Sequence, residues 1–493
     1  MGIVINQSVR STIYSYLGAL LGFLTVWFLN RTWLTPEQNG LVNILISISL
    51  VTGSLINLGT GGAIARLFPH FRDHESGHKG FISLALLVTC IGFALFVLLF
   101  IGFQDEIIAR NIDKSKLLAE HIYWLLPLTF FIGIFYILDA YSRAIFLTSA
   151  AILIKEILLR IIILFAGWGY HIGWISFEVF LIVYVLSFCS ISIALAIWMW
   201  TRKDLSISPP RITAHQTPLR KEIIHVSFFT AITSLGTLLM TSVDKIMINE
   251  YLGLAAAGVF AVVSYLGSMI QIPARSIGRV AMTVIAESWK KDDLDNIATV
   301  YRKTSINQSI AGCWLFLVIA CCTDQIISLM PNAYSDAGAV IQWVGLAFLV
   351  EVCTGANATI IGSSRFYKFE TLMMLSTIPI LIILNSQLIP SMGVSGAGLS
   401  MFLCFFTINT CRFLFILKKF HMQPFDSNQP KIFILSILMY SAFMAINPNW
   451  NAYVVILFKG LTITISFFAA ILRLKVSDDF NQLIFGWMRS LRK

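Results

Sequence analysis

Charged side chains lying inside long apolar runs are the residues of this sequence best placed to do chemistry. Lys155, Glu156 and Arg160 share one such run, and Asp244 and Lys245 share another. Glu351 sits in the middle of a third, Arg275 and Arg279 follow Pro273 at i,i+4 spacing, and Arg31 closes the first run after Asn30. A charge at the centre of a membrane helix costs about 2.5–3.5 kcal/mol on insertion scales, so such residues are functional candidates by default. The chemistry they offer is electrostatic: buried cations meet an anion, and buried carboxylates hold a cation or a proton. No nucleophile–base set or metal-ligand spacing accompanies them, so the sequence reads as a non-enzyme with no cofactor.

Each candidate has a plainer explanation. Arg160 lies nine residues past the expected start of its helix, ~14 Å deep at 1.5 Å per residue, and Glu156 one turn earlier can pair with it. That leaves Lys155 to meet an anion or to snorkel. Asp244 can bind a coupling ion or balance Lys245; Glu351 can be a protonated structural glutamate. Arg275 and Arg279 can be cytoplasmic anchors, Arg31 can snorkel, and Asp139 with Arg143 reads as a structural i,i+4 pair. His70, His74 and His78 have the spacing of helical metal ligands, but Pro69 and Gly77 argue for a solvated loop. The eight cysteines all fall in apolar runs without C-x-x-C spacing and read as small buried hydrophobes.

The elements that must position these residues are membrane helices. The chain has 493 residues, 57% hydrophobic and 12% charged, with a mean hydropathy of +0.81. A soluble domain carries about 25% charged residues. The deficit excludes a cytosolic enzyme, a disordered protein and a secreted disulfide scaffold. Hydropathy places about fourteen spans near 11–33, 40–65, 81–103, 120–142, 151–168, 177–200, 223–248, 255–275, 305–323, 338–362, 370–388, 396–417, 432–447 and 453–472. The first is too long for a signal-peptide core and is expected to be retained. With the N-terminus inside, 27 Lys/Arg fall on cytoplasmic loops and helix ends, four outside (Arg31, Arg110, Lys114, Lys116) and four within spans (Lys155, Arg160, Lys245, Lys459). That bias obeys the positive-inside rule with both termini cytoplasmic. The net charge of +10 then reflects topology, not nucleic-acid binding. Two amphipathic cytoplasmic helices are expected, at 286–304 and in the tail from Ser477.

The sequence also repeats itself at an offset of 218 residues. Leu17, Gly18, Leu20 and Leu21 match Leu235, Gly236, Leu238 and Leu239, and Leu34 and Gly40 match Leu252 and Gly258. A repeat spaced by six helices keeps its orientation, as in transporters whose two lobes are related by an axis along the membrane normal. The expected architecture is an all-α membrane bundle. Residues 1–200 form an N-terminal six-helix lobe, 201–222 a cytoplasmic linker and 223–418 a C-terminal six-helix lobe. Residues 419–472 add two helices, and 473–493 form the amphipathic tail.

In the second copy, Asp244 is followed by Tyr251-Leu252-Gly253, Ala257-Gly258-Val259-Phe260, Pro273, Ala286-Glu287 and Tyr301-Arg302-Lys303. In the first, Leu34-Thr35-Pro36-Glu37 and Gly40 lead to Asn57-Leu58-Gly59. In order and spacing the chain resembles the polysaccharide biosynthesis flippases of the multidrug/oligosaccharidyl-lipid/polysaccharide exporter superfamily. The resemblance implies a two-lobed alternating-access transporter in a bacterial inner membrane. It would move a polyprenyl-diphosphate-linked oligosaccharide (an O-antigen, capsule or exopolysaccharide unit) to the outer leaflet. Lys155, Arg160, Arg275, Arg279 and Arg31 become substrate-pathway candidates; Asp244 and Glu351 become candidates for a coupling proton or sodium. Membrane lipids and a polysaccharide polymerase with its export machinery are the implied partners. The rival readings are a multidrug or cation antiporter of the same superfamily, against which the basic fifth span argues, and a membrane polymerase or glycosyltransferase. The enzyme would need a sizeable outward loop or paired outward acids, and the short loop near 104–119 offers only the Asp105-Glu106 pair.

Overall fold

The computed structural model describes residues 14, 17–18, 20–68, 71, 80–112, 115–145, 147–202, 205, 208, 217–446, 448–477 and 480–481. Among these the chain is helical, with no strand. Nine helices are long and apolar enough to cross a bilayer, or eleven if each of two bent pairs is one span. Three further expected spans fall on helices that miss this criterion. One is the π-helical stretch Thr25–Trp33. Another is the run Thr148–His171, which passes through a π-helical turn at Leu153–Leu158. The third is the shorter helix Gln429–Ala445. Many large apolar side chains, such as Leu95, Leu98 and Leu99, point outward, an arrangement suited to lipid.

The chain divides into two compact units, Met1–Ala261 and Val262–Lys493. The first contains α1 (Pro36–Ile56), α2 (Thr60–Leu67), α3 (Phe81–Asn111), α4 (Leu125–Ala144), α5 (Leu159–His171), α6 (Phe177–Thr201), α7 (Thr217–Leu252) and the first half of α8 (Leu254–Ser268). The motif at residues 34–37 is a helix start. Thr35 Oγ1 accepts the Gln38 amide at 3.2 Å, Gln38 Oε1 accepts the Thr35 amide at 3.0 Å, and Pro36 occupies the first turn.

The continuous span expected at 40–65 is instead broken. Leu58 and Gly59 adopt φ of 47° and 74°, which separates α1 from α2. Glycine is demanded at 59 twice over, because a Cβ there would also lie 1.9 Å from the Ser227 carbonyl oxygen of α7. Hydropathy runs unbroken through this turn, so the run of apolar residues conceals it. Interhelical hydrogen bonds tie the unit together. Thr52 and Thr129 share one at 2.7 Å, Asn57 Nδ2 donates to the Gly133 carbonyl at 3.2 Å, and Thr89 Oγ1 donates to Asn57 Oδ1 at 2.8 Å.

The second unit contains the rest of α8, then α9 (Gln271–Lys290), α10 (Leu294–Cys321), α11 (Gly338–Cys353), α12 (Asn357–Ser363), α13 (Tyr367–Met392), α14 (Val394–Phe420), α15 (Gln429–Ala445) and α16 (Ala452–Arg473). The surface helix expected at 286–304 is absent as a single element. Asp292 takes φ 53° and Asp293 caps α10 by accepting the Asn296 amide at 2.9 Å, so the polar segment ends one helix and begins the next. The span expected at 338–362 breaks at Gly355, φ 66°, where Thr354, Asn357 and Asn409 form a buried amide–hydroxyl network at 3.0–3.2 Å. Ile306, Ile310 and Leu317 of α10 pack with Ile432 of α15 and with Ile463 and Phe467 of α16. Lys459 of α16 is buried and donates to the Cys321 carbonyl at 3.0 Å.

Two cysteines, Cys90 and Cys411, are exposed on outer faces of α3 and α14; the other six are buried, and all are free. Ser477 Oγ accepts the Phe480 amide at 3.3 Å, the cap expected at the start of the tail. The remainder of that tail, and His70, His74 and His78, lie outside the described residues.

Candidate functional site: charged groups within the two units

In the first unit the fifth expected span is where charge concentrates. The helix there slips from α to π hydrogen bonding over Leu153–Leu158, a wide turn often found where a helix carries function. Arg160 Nη2 donates to Glu156 Oε2 at 2.7 Å, the i,i+4 pair expected from spacing. Its Nη1 donates to the carbonyl of Gly18. Both side chains are about a third exposed or less (27% and 30%). Gly18 belongs to a repeated glycine pair, and a Cβ there would sit 2.7 Å from Glu156 Cβ. The first helix therefore presses directly onto the ion pair.

Lys155 differs from Arg160. It is exposed, its Nζ lies 5.8 Å from the Phe135 ring centroid, and it forms no salt bridge among the described residues. Of the two cations in this span, only Arg160 is held in an ion pair among the described residues. Arg31 stacks on Trp27, with Cζ 4.4 Å from the ring centroid. Asp244 is buried, at 4% exposure, and Lys245 beside it is half-buried. Asp139 Oδ2 accepts from Arg143 Nη1 at 2.6 Å, the structural pair expected from their spacing.

In the second unit the structure joins candidates that are 76 or more residues apart in sequence. Gln271 Nε2 donates to Glu351 Oε2 at 2.5 Å, and Gln271 Oε1 accepts from Arg275 Nη2 at 3.1 Å. The amide oxygen faces the cation and the amide nitrogen the carboxylate, the one orientation that satisfies both. Glu351 lies within electrostatic reach of Arg275 and also of Arg412. Arg412 is itself bidentate to Glu370 across α13 and α14, with side chains 12% and 15% exposed. The backbone of Arg279 is helical; its side chain lies outside the described residues.

Sequence reasoning missed Gln271, Glu370 and Arg412. A signal for the last two was present. Glu370 lies 23 residues before Gly393 and Arg412 lies 19 after it, and Gly393 separates α13 from α14. Antiparallel helices therefore bring the two opposite charges level.

Comparisons with known proteins agree with this architecture. Across 95% of the chain and 100% of its counterpart, the fold is similar to the lipid II flippase MurJ in an inward-closed conformation, with a TM-score of 0.76 at 13% identity. An inward-facing multidrug resistance MATE family transporter of the MOP superfamily superposes over 90% of this chain and 100% of that one, with a TM-score of 0.63 at 15% identity. In sequence, the chain is 22% identical over 323 residues to the uncharacterized membrane protein EpsK of Bacillus subtilis (strain 168), covering 62% of this chain. The match spans 60% of the length of EpsK. Residues 6–289 match the family described as polysaccharide biosynthesis protein. With more than half its length in that match and a MurJ- and MATE-like helical fold around it, the chain belongs to the polysaccharide biosynthesis protein family.

Proposed function

We propose that this protein flips a polyprenyl-diphosphate-linked oligosaccharide from the inner to the outer leaflet of a bacterial plasma membrane. The observation that carries this reading is family membership in polysaccharide biosynthesis on a chain whose span-embedded charges include an exposed lysine, Lys155, without a salt bridge among the described residues. A lipid-linked glycan presents a diphosphate and a polar sugar that must pass hydrocarbon, and moving it breaks no bond. Lys155, Arg160, Arg275, Arg279 and Arg31 are the cations assigned to the pathway. Asp244 and Glu351 are assigned to a coupling proton or sodium.

The lobes in this proposal are residues 1–200 and 223–418, linked by 201–222, with both chain ends cytoplasmic. They alternate between inward- and outward-open states, and a polysaccharide polymerase with its export machinery takes the product. The likeness of the fold to MurJ supports a lipid-linked ligand. The likeness to MATE transporters supports cation exchange as the rival.

The test is the sidedness of a lipid-linked oligosaccharide in inverted vesicles with and without the protein. An impermeant lectin or glycosidase reports which leaflet holds the sugar. Protein-dependent protection of the glycan inside the vesicle is the expected result. Unchanged accessibility together with cation-driven dye exchange would overturn this reading in favour of an antiporter.

A further inference from the structure

A cavity of about 370 Å³ opens within the first unit among α1, α2, α4 and α7. Its walls carry Ser54, Gly61, Tyr136, Asp139, Arg143 and Ser234. None of these is among the pathway residues assigned above. We propose that this cavity is a sugar subsite: it holds one neutral, polyhydroxylated ring.

The hydroxyls are the first argument. Ser54 is 7% exposed, and its hydroxyl has no hydrogen-bond partner among the described residues. Its neighbours on other turns do bond back to their own helices: Thr52 Oγ1 donates to the Ile48 carbonyl at 3.0 Å, and Ser142 Oγ to the Asp139 carbonyl at 2.7 Å. Because Ser54 lines the cavity, that hydroxyl is open to a hydrogen bond from a ligand there. The hydroxyls of Tyr136 and Ser234, on the same walls, are likewise without a partner among the described residues.

Charge is the second argument. Asp139 and Arg143 are joined at 2.6 Å, and the Arg143 side chain is 54% exposed. The pair is neutral overall, yet it still offers carboxylate lone pairs and several guanidinium N–H groups. A diphosphate needs excess positive charge and is repelled by Asp139. A sugar ring uses both partners, donating hydroxyl protons to the carboxylate and accepting from the guanidinium. The Tyr136 ring adds an apolar wall for the C–H face of the sugar. The volume lies in the usual range for a small-ligand site, about 300–1,000 Å³.

Gly61 gives a way to block the cavity. A Cβ there would meet only Ala140 Cβ, at 3.6 Å, and the Tyr136 carbonyl, at 3.9 Å, so the backbone accepts a side chain and a large one must enter the space. The role of this subsite in transport rests on the flippase reading; the binding of sugar does not.

The experiment is saturation-transfer NMR on the full-length protein in nanodiscs. The probes are free glucose, galactose, mannose, rhamnose and N-acetylglucosamine, with inorganic pyrophosphate as competitor. At least one sugar is expected to give a signal that pyrophosphate leaves intact and that Gly61→Phe abolishes. Ser54→Ala is expected to weaken that sugar about fivefold, the worth of one hydrogen bond. Should Gly61→Phe fail to fold, Ser54→Ala decides, since it only removes an oxygen.

The proposal is overturned by silence from all five sugars, by displacement with pyrophosphate, or by a signal that folded Ser54→Ala leaves unchanged. Sugar binding that depends on Ser54 in a protein that flips no glycan would sink the transport reading and leave the subsite standing. Flipping without sugar binding would do the reverse.

Discussion

Gly40 and Gly258, one of the two glycine pairs matched by the 218-residue repeat, are packed against each other's helix starts. A Cβ on Gly40 would lie 2.0 Å from the carbonyl oxygen of Leu254, the first residue of α8. A Cβ on Gly258 would lie 2.0 Å from the carbonyl oxygen of Pro36, the first residue of α1, and 2.7 Å from the Gly40 nitrogen. Pro36 and Leu254 are themselves related by the same offset. The contact is therefore reciprocal: each copy's first turn occupies the space that a side chain on the other copy's glycine would need. Only glycine permits backbones to cross this closely, the same reason small residues line other membrane helix crossings.

Replacing either glycine by alanine forces a carbonyl and a methyl group to the same place. Gly40→Ala and Gly258→Ala are each expected to cost about 1–3 kcal/mol through overpacking. Because both act on one crossing, the double variant should fall short of the sum. Thermal unfolding of the purified protein in detergent measures all three. Full additivity, or wild-type melting of either single variant, would contradict a shared crossing.

The repeat was legible because it is written in residue identity, and the helices because hydrocarbon demands long apolar runs. The breaks were not. Apolar residues continue through Leu58-Gly59 and on both sides of Gly355, so hydropathy sees one span where the backbone turns. The segment 286–304 has the polar composition of a surface helix, and only the Asp292–Asp293 turn shows that it is two helix ends. At the candidate site, Arg160 with Glu156 was readable from i,i+4 spacing. The Gln271 bridge between Arg275 and Glu351 was not, since it joins helices whose relative rotation no spacing encodes. Nor could sequence reveal that the Ser54 hydroxyl has no partner among the described residues, because helical serines can bond back to the preceding turn.

Lys155 and Arg160 should separate by phenotype. From sequence, Arg160→Ala is expected to lose export while the protein accumulates normally. Its two bonds, to Glu156 and to the Gly18 carbonyl, add a stability penalty and an unpaired carboxylate. Arg160→Ala should therefore lose export and melt lower, and Glu156→Gln in the same chain should recover part of the melting temperature. Lys155→Ala removes no ion pair among the described residues, so it should keep wild-type melting while glycan flipping in vesicles falls about tenfold, the worth of one charge-assisted contact. Normal export by Lys155→Ala would remove that lysine from the pathway.

The Glu370–Arg412 pair should behave as an all-or-none unit. Both side chains are mostly buried and joined by two hydrogen bonds. Arg412→Met alone leaves a buried carboxylate without its partner, which typically costs about 3–5 kcal/mol. Glu370→Met with Arg412→Met replaces the pair by apolar groups of similar length and should regain most of that loss. A double-mutant cycle on detergent melting gives the coupling. Near-zero coupling would mean the pair contributes nothing to the packing of α13 on α14.

Glu351 is where energy coupling is most directly testable. Its carboxylate accepts from Gln271, which in turn accepts from Arg275, so protonation or cation binding at Glu351 would be felt along α9 and by the exposed arginine. Glu351→Gln keeps the side-chain shape and can still accept from the Gln271 amide, but it carries no titratable charge. If Glu351 takes up the coupling ion, wild-type vesicles should flip glycan faster under an imposed proton or sodium gradient, and Glu351→Gln should flip at one rate whatever the gradient. Asp244→Asn serves as the matched comparison in the first unit, since it too removes the charge of a buried carboxylate and nearly preserves its shape. A gradient response that survives in Glu351→Gln and disappears in Asp244→Asn would transfer the coupling role to α7.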